Sequence, residues 1–152
     1  MTGRRAGPFL EALGLFVLAL GVRALPWGDV FTEDGIRLIG TDPYFHMRAI
    51  AWSVEHFPSV QSFDPYIQYP NGARPIVGPL FDWLIALVAS PFVVDVSGDG
   101  LSRLERIAVW VPPVLGATTV VAAWALARRH FGRGAGLVAG LFLAFASGHF
   151  WY

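Results

Sequence analysis

Apolar residues gather in three blocks long enough to cross a bilayer as helix, which takes roughly 20 residues. The first runs from Pro8 to Pro26, the second from Ile107 to Ala127 and the third from Gly134 to Tyr152. Arg4 and Arg5 precede the first block, but Glu11 interrupts it and no small-x-small cleavage site follows. It therefore reads as an uncleaved first helix rather than a signal peptide. Pro112-Pro113 in the second block is tolerable where neighbouring helices satisfy the freed carbonyls. Gly134, Gly136 and Gly140 give the third block the small side chains that close helix packing needs. The sequence stops inside this block, so Tyr152 is not expected to be a natural end.

A fourth apolar stretch, Val77 to Val94, contains Asp82 and is bounded by Pro79 and Pro91. Topology arbitrates its fate. Excess Arg marks the cytoplasmic side, which places Arg4 and Arg5 there together with Arg128, Arg129 and Arg133. An even number of crossings must separate the two groups, and the first two blocks already supply two. Val77 to Val94 is thus expected to lie along the outer surface or to re-enter, where Asp82 is ordinary rather than costly. The expected organisation is a first transmembrane helix over 1–26 and an external loop over 27–106 with interfacial helices. A second transmembrane helix over 107–127, a cytoplasmic loop over 128–133 and a truncated third helix over 134–152 follow. The fold class is an all-α, polytopic membrane protein, with a cytoplasmic amino terminus and a long helical first external loop.

Composition agrees with that pattern. Hydrophobic residues make up 55% of the chain and charged residues 14%, roughly half the charged share of a soluble domain. Net charge is zero and no basic tract interleaves with aromatics, which excludes a nucleic-acid binder. Cysteine is absent, so there is no disulfide framework and no thiol nucleophile, and any metal must use oxygen or imidazole ligands. The eleven basic residues are all Arg, from which no function follows. Trp27, Trp52, Trp83 and Trp110 suit an aromatic belt more simply than a sugar platform.

An external segment of about eighty residues is too long for a connector, and such loops are usually functional. Tyr44 to Phe57 reads as a helix, with Phe45, Ile50, Trp52 and Val54 set among His46, Arg48 and Glu55. Asp64-Pro65 opens one turn and Pro70-Asn71-Gly72 closes another. Asp42 has two compatible readings. It is a favoured N-cap with Pro43 as the first helical residue, and it is a carboxylate at a membrane boundary, suited to binding a hard cation or to acting as a base. His46 follows one helical turn later on the same face, either as a satisfied interfacial histidine or as a metal or phosphate contact. Arg48 suits a phosphate or a surface pair with Glu55. Glu33, Asp34 and Asp64 read as solvated or capping carboxylates. One well-placed carboxylate does not complete a magnesium or manganese site.

The series Gly40-Thr41-Asp42-Pro43-Tyr44-Phe45-His46-Met47-Arg48, Phe63-Asp64-Pro65-Tyr66, Tyr69-Pro70-Asn71-Gly72-Ala73 and Gly78-Pro79-Leu80-Phe81-Asp82-Trp83 closely resembles the first external loop of the catalytic subunit of oligosaccharyltransferase. The archaeal and bacterial type is the nearer. The resemblance implies a glycosyltransferase of GT-C fold, multi-pass in the plasma membrane. It would move an oligosaccharide from a dolichyl or undecaprenyl diphosphate to Asn of an Asn-x-Ser/Thr sequon. It implies that Asp42 is both catalytic and a ligand of manganese or magnesium; His46 and Arg48, from their residue types and spacing, are the candidate substrate contacts beside it. The partners implied are the lipid-linked oligosaccharide, the acceptor polypeptide and membrane lipid. The family's second acidic motif, later loop glutamate and Trp-Trp-Asp motif do not occur in these residues, so the fragment is expected to be inert alone. Another GT-C enzyme, such as a protein O-mannosyltransferase or a lipid A aminoarabinose transferase, usually carries an adjacent acidic pair, for which Glu33-Asp34 is the candidate. The non-enzymatic alternative is a transporter or accessory subunit, whose mark is ionisable residues deep inside the spans, whereas Glu11 sits near an end. A truncated gene product is the last alternative.

Overall fold

A computed structural model describes residues 3–146, with side chains from residue 7 onward. The chain divides into two compact units, Met1–Gly28 with Trp110–Tyr152, and Asp29–Val109. The architecture is mostly helical. Among the described residues it departs from the all-α expectation in a small hairpin, β1 (Phe31–Thr32) paired antiparallel with β2 (Gly35–Ile36), which follows the one-turn helix α2 (Trp27–Val30), and in an isolated bridge between Asp64 and Ala73.

The first unit is built from α1 (Gly3–Arg23), the later residues of α5 (Asp99–Phe131) and α6 (Arg133–Phe145). Leu15 and Ala19 from α1 are buried with Ala117, Val120 and Trp124 from α5 and Ala144 from α6. These positions recur every three to four residues, as one face of a helix requires. On α6 the buried stripe is Gly136, Gly140 and Ala144. A Cβ on Gly136 would fall 2.7 Å from Cβ of Arg128, and one on Gly140 would fall 2.9 Å from a Leu15 methyl. The Gly-x-x-x-Gly spacing thus brings α6 against its neighbours at a distance that larger side chains forbid. The outward faces are apolar too, with Phe9, Leu10, Val17, Leu126, Val138 and Phe142 exposed, the reverse of a surface made for water.

Among the described residues one helix, α5, is long and apolar enough to cross a membrane. Its 33 residues rise about 50 Å. It starts eight residues before the expected second span, because Asp99 to Arg106 continues the helix as a polar first part. The loop expected over 128–133 contracts to one residue. Helix α5 continues to Phe131, Gly132 turns the chain with φ 89°, and α6 begins at Arg133. Glycine accepts that left-handed geometry without a Cβ penalty, which makes it a common helix terminator. Residues 147–152 of the expected third span lie outside the described residues.

Two charged residues of α1 have partners. Glu11 accepts from Arg128 and, at 2.7 Å, from Nε of Arg133, so the break in the first apolar block is tied to the α5–α6 corner. Arg23, also within that block, is buried and donates to the Ala19 carbonyl at 2.9 Å. Gly116 makes room for it, since a Cβ there would lie 2.5 Å from the guanidinium.

The second unit centres on α3 (Asp42–Glu55) packed against α4 (Leu80–Ala89). Helix α3 buries Ala49, Ile50, Ser53 and Val54, and α4 buries Asp82, Ile85, Ala86 and Ala89. The small residues on both faces let the helices approach closely. Ten residues of α4 rise about 15 Å, half of a bilayer's hydrocarbon. Between the helices, Asp64 and Ala73 exchange backbone hydrogen bonds of 2.9 and 3.1 Å and close the turn-rich loop. Gly72 sits inside it at φ 70°, and a Cβ would strike the Phe63 ring at 2.3 Å. Only glycine fits there.

Candidate functional site

The carboxylates and the histidine singled out in the sequence all fall in the second unit, and α3 carries three of the candidates. Its N-cap is Thr41, not Asp42, and no side-chain cap hydrogen bond forms. Asp42 is the first helical residue and Pro43 the second. The chain enters the helix with Thr41 already at φ −92°, ψ −35°, so the Asp42 carboxylate does not reach back over the first turn. It is exposed and makes no hydrogen bond or ion pair among the described residues. An anion there is favoured by the amino-terminal dipole of α3, and both oxygens stay open to a ligand.

His46 is engaged on one side only. Its Nδ1 lies 2.7 Å from Oδ1 of Asp82, and the rings of Phe45 and Phe81 approach edge-on at 5.2 and 5.6 Å. The Asp82 side chain is 7% exposed and that of His46 25%. Burial pushes the Asp82 carboxyl above its usual range, while the hydrogen bond and charge of His46 oppose the shift. Asp82 was legible only as a polar interruption in an apolar helix; its partner lies 36 residues earlier.

Arg48 does not pair with Glu55. Its NH2 group donates to Oδ2 of Asp64 at 2.9 Å, and its guanidinium stacks over Tyr66 at 5.3 Å. Asp64 is not a solvated carboxylate: its side chain is 1% exposed, and Oδ1 accepts the Tyr66 backbone N–H at 2.8 Å. That bond two residues ahead is the turn a carboxylate forms before proline-containing loops. The pair anchors the loop through one terminal nitrogen of the Arg48 guanidinium, whose side chain is 40% exposed. Glu33 and Asp34, the alternative acidic pair, occupy the exposed two-residue tip of the β1–β2 hairpin.

Among the described residues no group of three or more His, Asp or Glu side chains is placed to hold a metal ion. Asp42 offers one oxygen donor group, and these residues alone do not complete a site. A cavity of about 250 Å³ in this unit is lined by Ala49, Ser53, Gln61, Arg74 and Asp82 among others. Neither Asp42 nor His46 lines it.

The family model described as oligosaccharyl transferase STT3, N-terminal, matches residues 12–152. The chain belongs to the STT3 family. It is 30% identical over 125 residues to dolichyl-phosphooligosaccharide-protein glycotransferase 3 of Archaeoglobus fulgidus, covering 82% of this chain and 14% of that protein. It is 28% identical over 145 residues to dolichyl-monophosphooligosaccharide-protein glycotransferase AglB of Haloferax volcanii, covering 94% of this chain and 13% of that one. The crystal structure of an A. fulgidus oligosaccharyltransferase tethered to an acceptor peptide with an NVT sequon matches at 28% identity and a TM-score of 0.72, over 88% of this chain and 16% of that chain. An A. fulgidus AglB in complex with an inhibitory peptide and a dolichol-phosphate matches with the same identity and TM-score. The chain therefore spans about one-seventh of the STT3 relatives it resembles. Asp42, His46, Arg48, Asp64 and Asp82 all lie inside the segment that the family model matches.

Proposed function

We propose that this chain is the amino-terminal part of an oligosaccharyltransferase and that Asp42 is the catalytic carboxylate it contributes. The whole enzyme transfers an oligosaccharide from a polyprenyl diphosphate carrier to Asn of an Asn-x-Ser/Thr sequon. The supporting observation is selective engagement: Asp64 and Asp82 are buried and bonded, whereas Asp42, on the same packed unit, is open. An amide nitrogen is a poor nucleophile because its lone pair is delocalised into the carbonyl. A carboxylate that accepts from the amide N–H groups opposes that delocalisation and favours the charge that develops on nitrogen. Asp42 suits this task, standing at the amino-terminal end of α3 with its carboxylate unoccupied among the described residues. Manganese or magnesium, implied by the family, would take Asp42 as one oxygen ligand and the rest of its ligands from residues outside those described.

The same reading makes the chain multi-pass, with Asp29–Val109 on the external side and the amino terminus in the cytoplasm. Glu11 supports it by tying the early part of α1 to Arg128 and Arg133, which puts both Arg-rich ends on one side. Two experiments in the full-length protein test these statements. Asp42→Ala should nearly abolish glycan transfer while expression is unchanged, and wild-type turnover would refute the catalytic assignment. Cysteines placed at the exposed Ser59 and Ser97 should both be labelled from outside; cytoplasmic labelling at Ser97 would mean that the stretch through α4 spans.

A further inference from the structure

Histidines in this unit are not treated alike. His56 lies exposed at the end of α3, bonded through Nδ1 to its own helix at the Trp52 carbonyl, 2.8 Å away, and stacked on the Trp52 ring. His46 is held from another element, by a carboxylate that α4 buries among Ile85, Ala86 and Ala89. An apolar side chain at position 82 would meet the packing needs of that helix without the desolvation cost of a buried carboxylate. What the carboxylate adds is direction. A hydrogen bond at one ring nitrogen decides the protonation and aim of the other, and the Phe45 and Phe81 edges restrict the ring plane. Nε2 of His46 makes no hydrogen bond among the described residues. Residues four apart share a helix face, so His46 lies one turn along α3 from Asp42, whose carboxylate is open.

We propose that Asp82 is a positioning residue for glycan transfer: through Nδ1 it sets the His46 imidazole so that Nε2 and the Asp42 carboxylate serve the same reacting group. The proposal rests on the catalytic reading of Asp42. The test is a mutant cycle in the full-length enzyme, with transfer from a lipid-linked oligosaccharide to a sequon peptide and thermal unfolding measured side by side. At a temperature where both proteins are folded, Asp82→Leu should transfer about 10- to 100-fold more slowly than wild type, the range set by losing a group that orients a functional histidine. His46→Phe should lose as much, and the double variant no more than the worse single one, because both remove one unit. Asp82→Asn, whose amide oxygen still accepts from Nδ1–H, should recover most of the rate. Wild-type transfer by Asp82→Leu would overturn the proposal, as would losses that multiply in the double variant. Should Asp82→Leu lower the melting temperature, Asp82→Ser replaces it and the same two outcomes decide. Asp42→Asn in the same assay reports separately on the underlying reading: full activity there ends the role of Asp42, while the cycle alone decides whether Asp82 acts through His46.

Discussion

Replacing Asp64 should open the loop between residues 64 and 73 while leaving the rest of the second unit folded. The Asp64 carboxylate makes two bonds, to Arg48 at 2.9 Å and to the Tyr66 N–H at 2.8 Å. The second contributes about 1 kcal/mol, the usual net value of a neutral-donor bond. The first would contribute up to about 3 kcal/mol if fully buried. Arg48 is 40% exposed, which reduces that to about 1 to 2 kcal/mol through solvent screening. Asp64→Ala therefore loses about 2 to 3 kcal/mol of local stability, or roughly 30- to 150-fold in the population of the open loop. Asp64→Asn keeps the Tyr66 bond and loses only the charged one, about 5- to 30-fold. Chymotrypsin reads the difference, because Tyr66 is 67% exposed and its bond to Ile67 is cleaved only when the loop opens. With cleavage slow relative to reclosing, the rate follows the open population. Equal cleavage rates in wild type and Asp64→Ala would refute the anchor. Equal rates in the Asn and Ala variants would refute the division of the energy between its two bonds.

Other consequences are as direct. Because burial raises the Asp82 carboxyl in the folded state, the folded protein binds more protons than the unfolded one over the intervening pH range. Stability of the α3–α4 pair should fall as pH rises from the ordinary carboxylate range through that raised value, and Asp82→Asn should remove that slope in pH-dependent unfolding; an unchanged slope would contradict it. Gly136→Leu should cost at least about 1 to 3 kcal/mol through overpacking against Arg128, whose Cβ stands 2.7 Å from the added atom. A melting temperature equal to wild type in detergent would argue against close packing of α6. Glu33→Gln with Asp34→Asn should leave transfer unchanged, since both residues sit at an exposed hairpin tip; loss of transfer would favour the adjacent-acid type of glycosyltransferase.

The parts of this fold that local chemistry determines were legible in the sequence. Asp-Pro followed by interleaved apolar residues placed a helix within two residues of the observed start of α3, and Pro-Asn-Gly marked the turn that Gly72 completes. The fate of the carboxylates was not legible, because it depends on partners far along the chain. Asp64 meets Arg48 across 16 residues and Asp82 meets His46 across 36. In a one-dimensional reading Asp64 is a turn residue, Asp82 a blemish in an apolar helix and Glu11 a break in a span. In the folded chain each holds a cation or an imidazole. Of the two readings of Asp42, cap and open carboxylate, the cap is not observed, because Thr41 takes that position without a side-chain bond. Helix ends were misjudged where polar residues continue an apolar helix, as at Asp99 to Arg106, and where a single glycine replaces a loop, as at Gly132.

The account turns on Asp42, and Asp42→Asn in the full-length protein tests it most directly. Asparagine is a similar size and gives up only the helix dipole's preference for an anion in the first turn, about 0.3 to 1 kcal/mol, so folding and insertion should be little affected. Its neutral amide cannot replace a carboxylate toward an acceptor amide or a divalent cation. Transfer of oligosaccharide from a lipid-linked donor to an Asn-x-Ser/Thr peptide should fall at least about 100-fold, the scale on which a single preorganised charge acts. Transfer at the wild-type rate would contradict the account and return Asp42 to a residue that merely begins a helix.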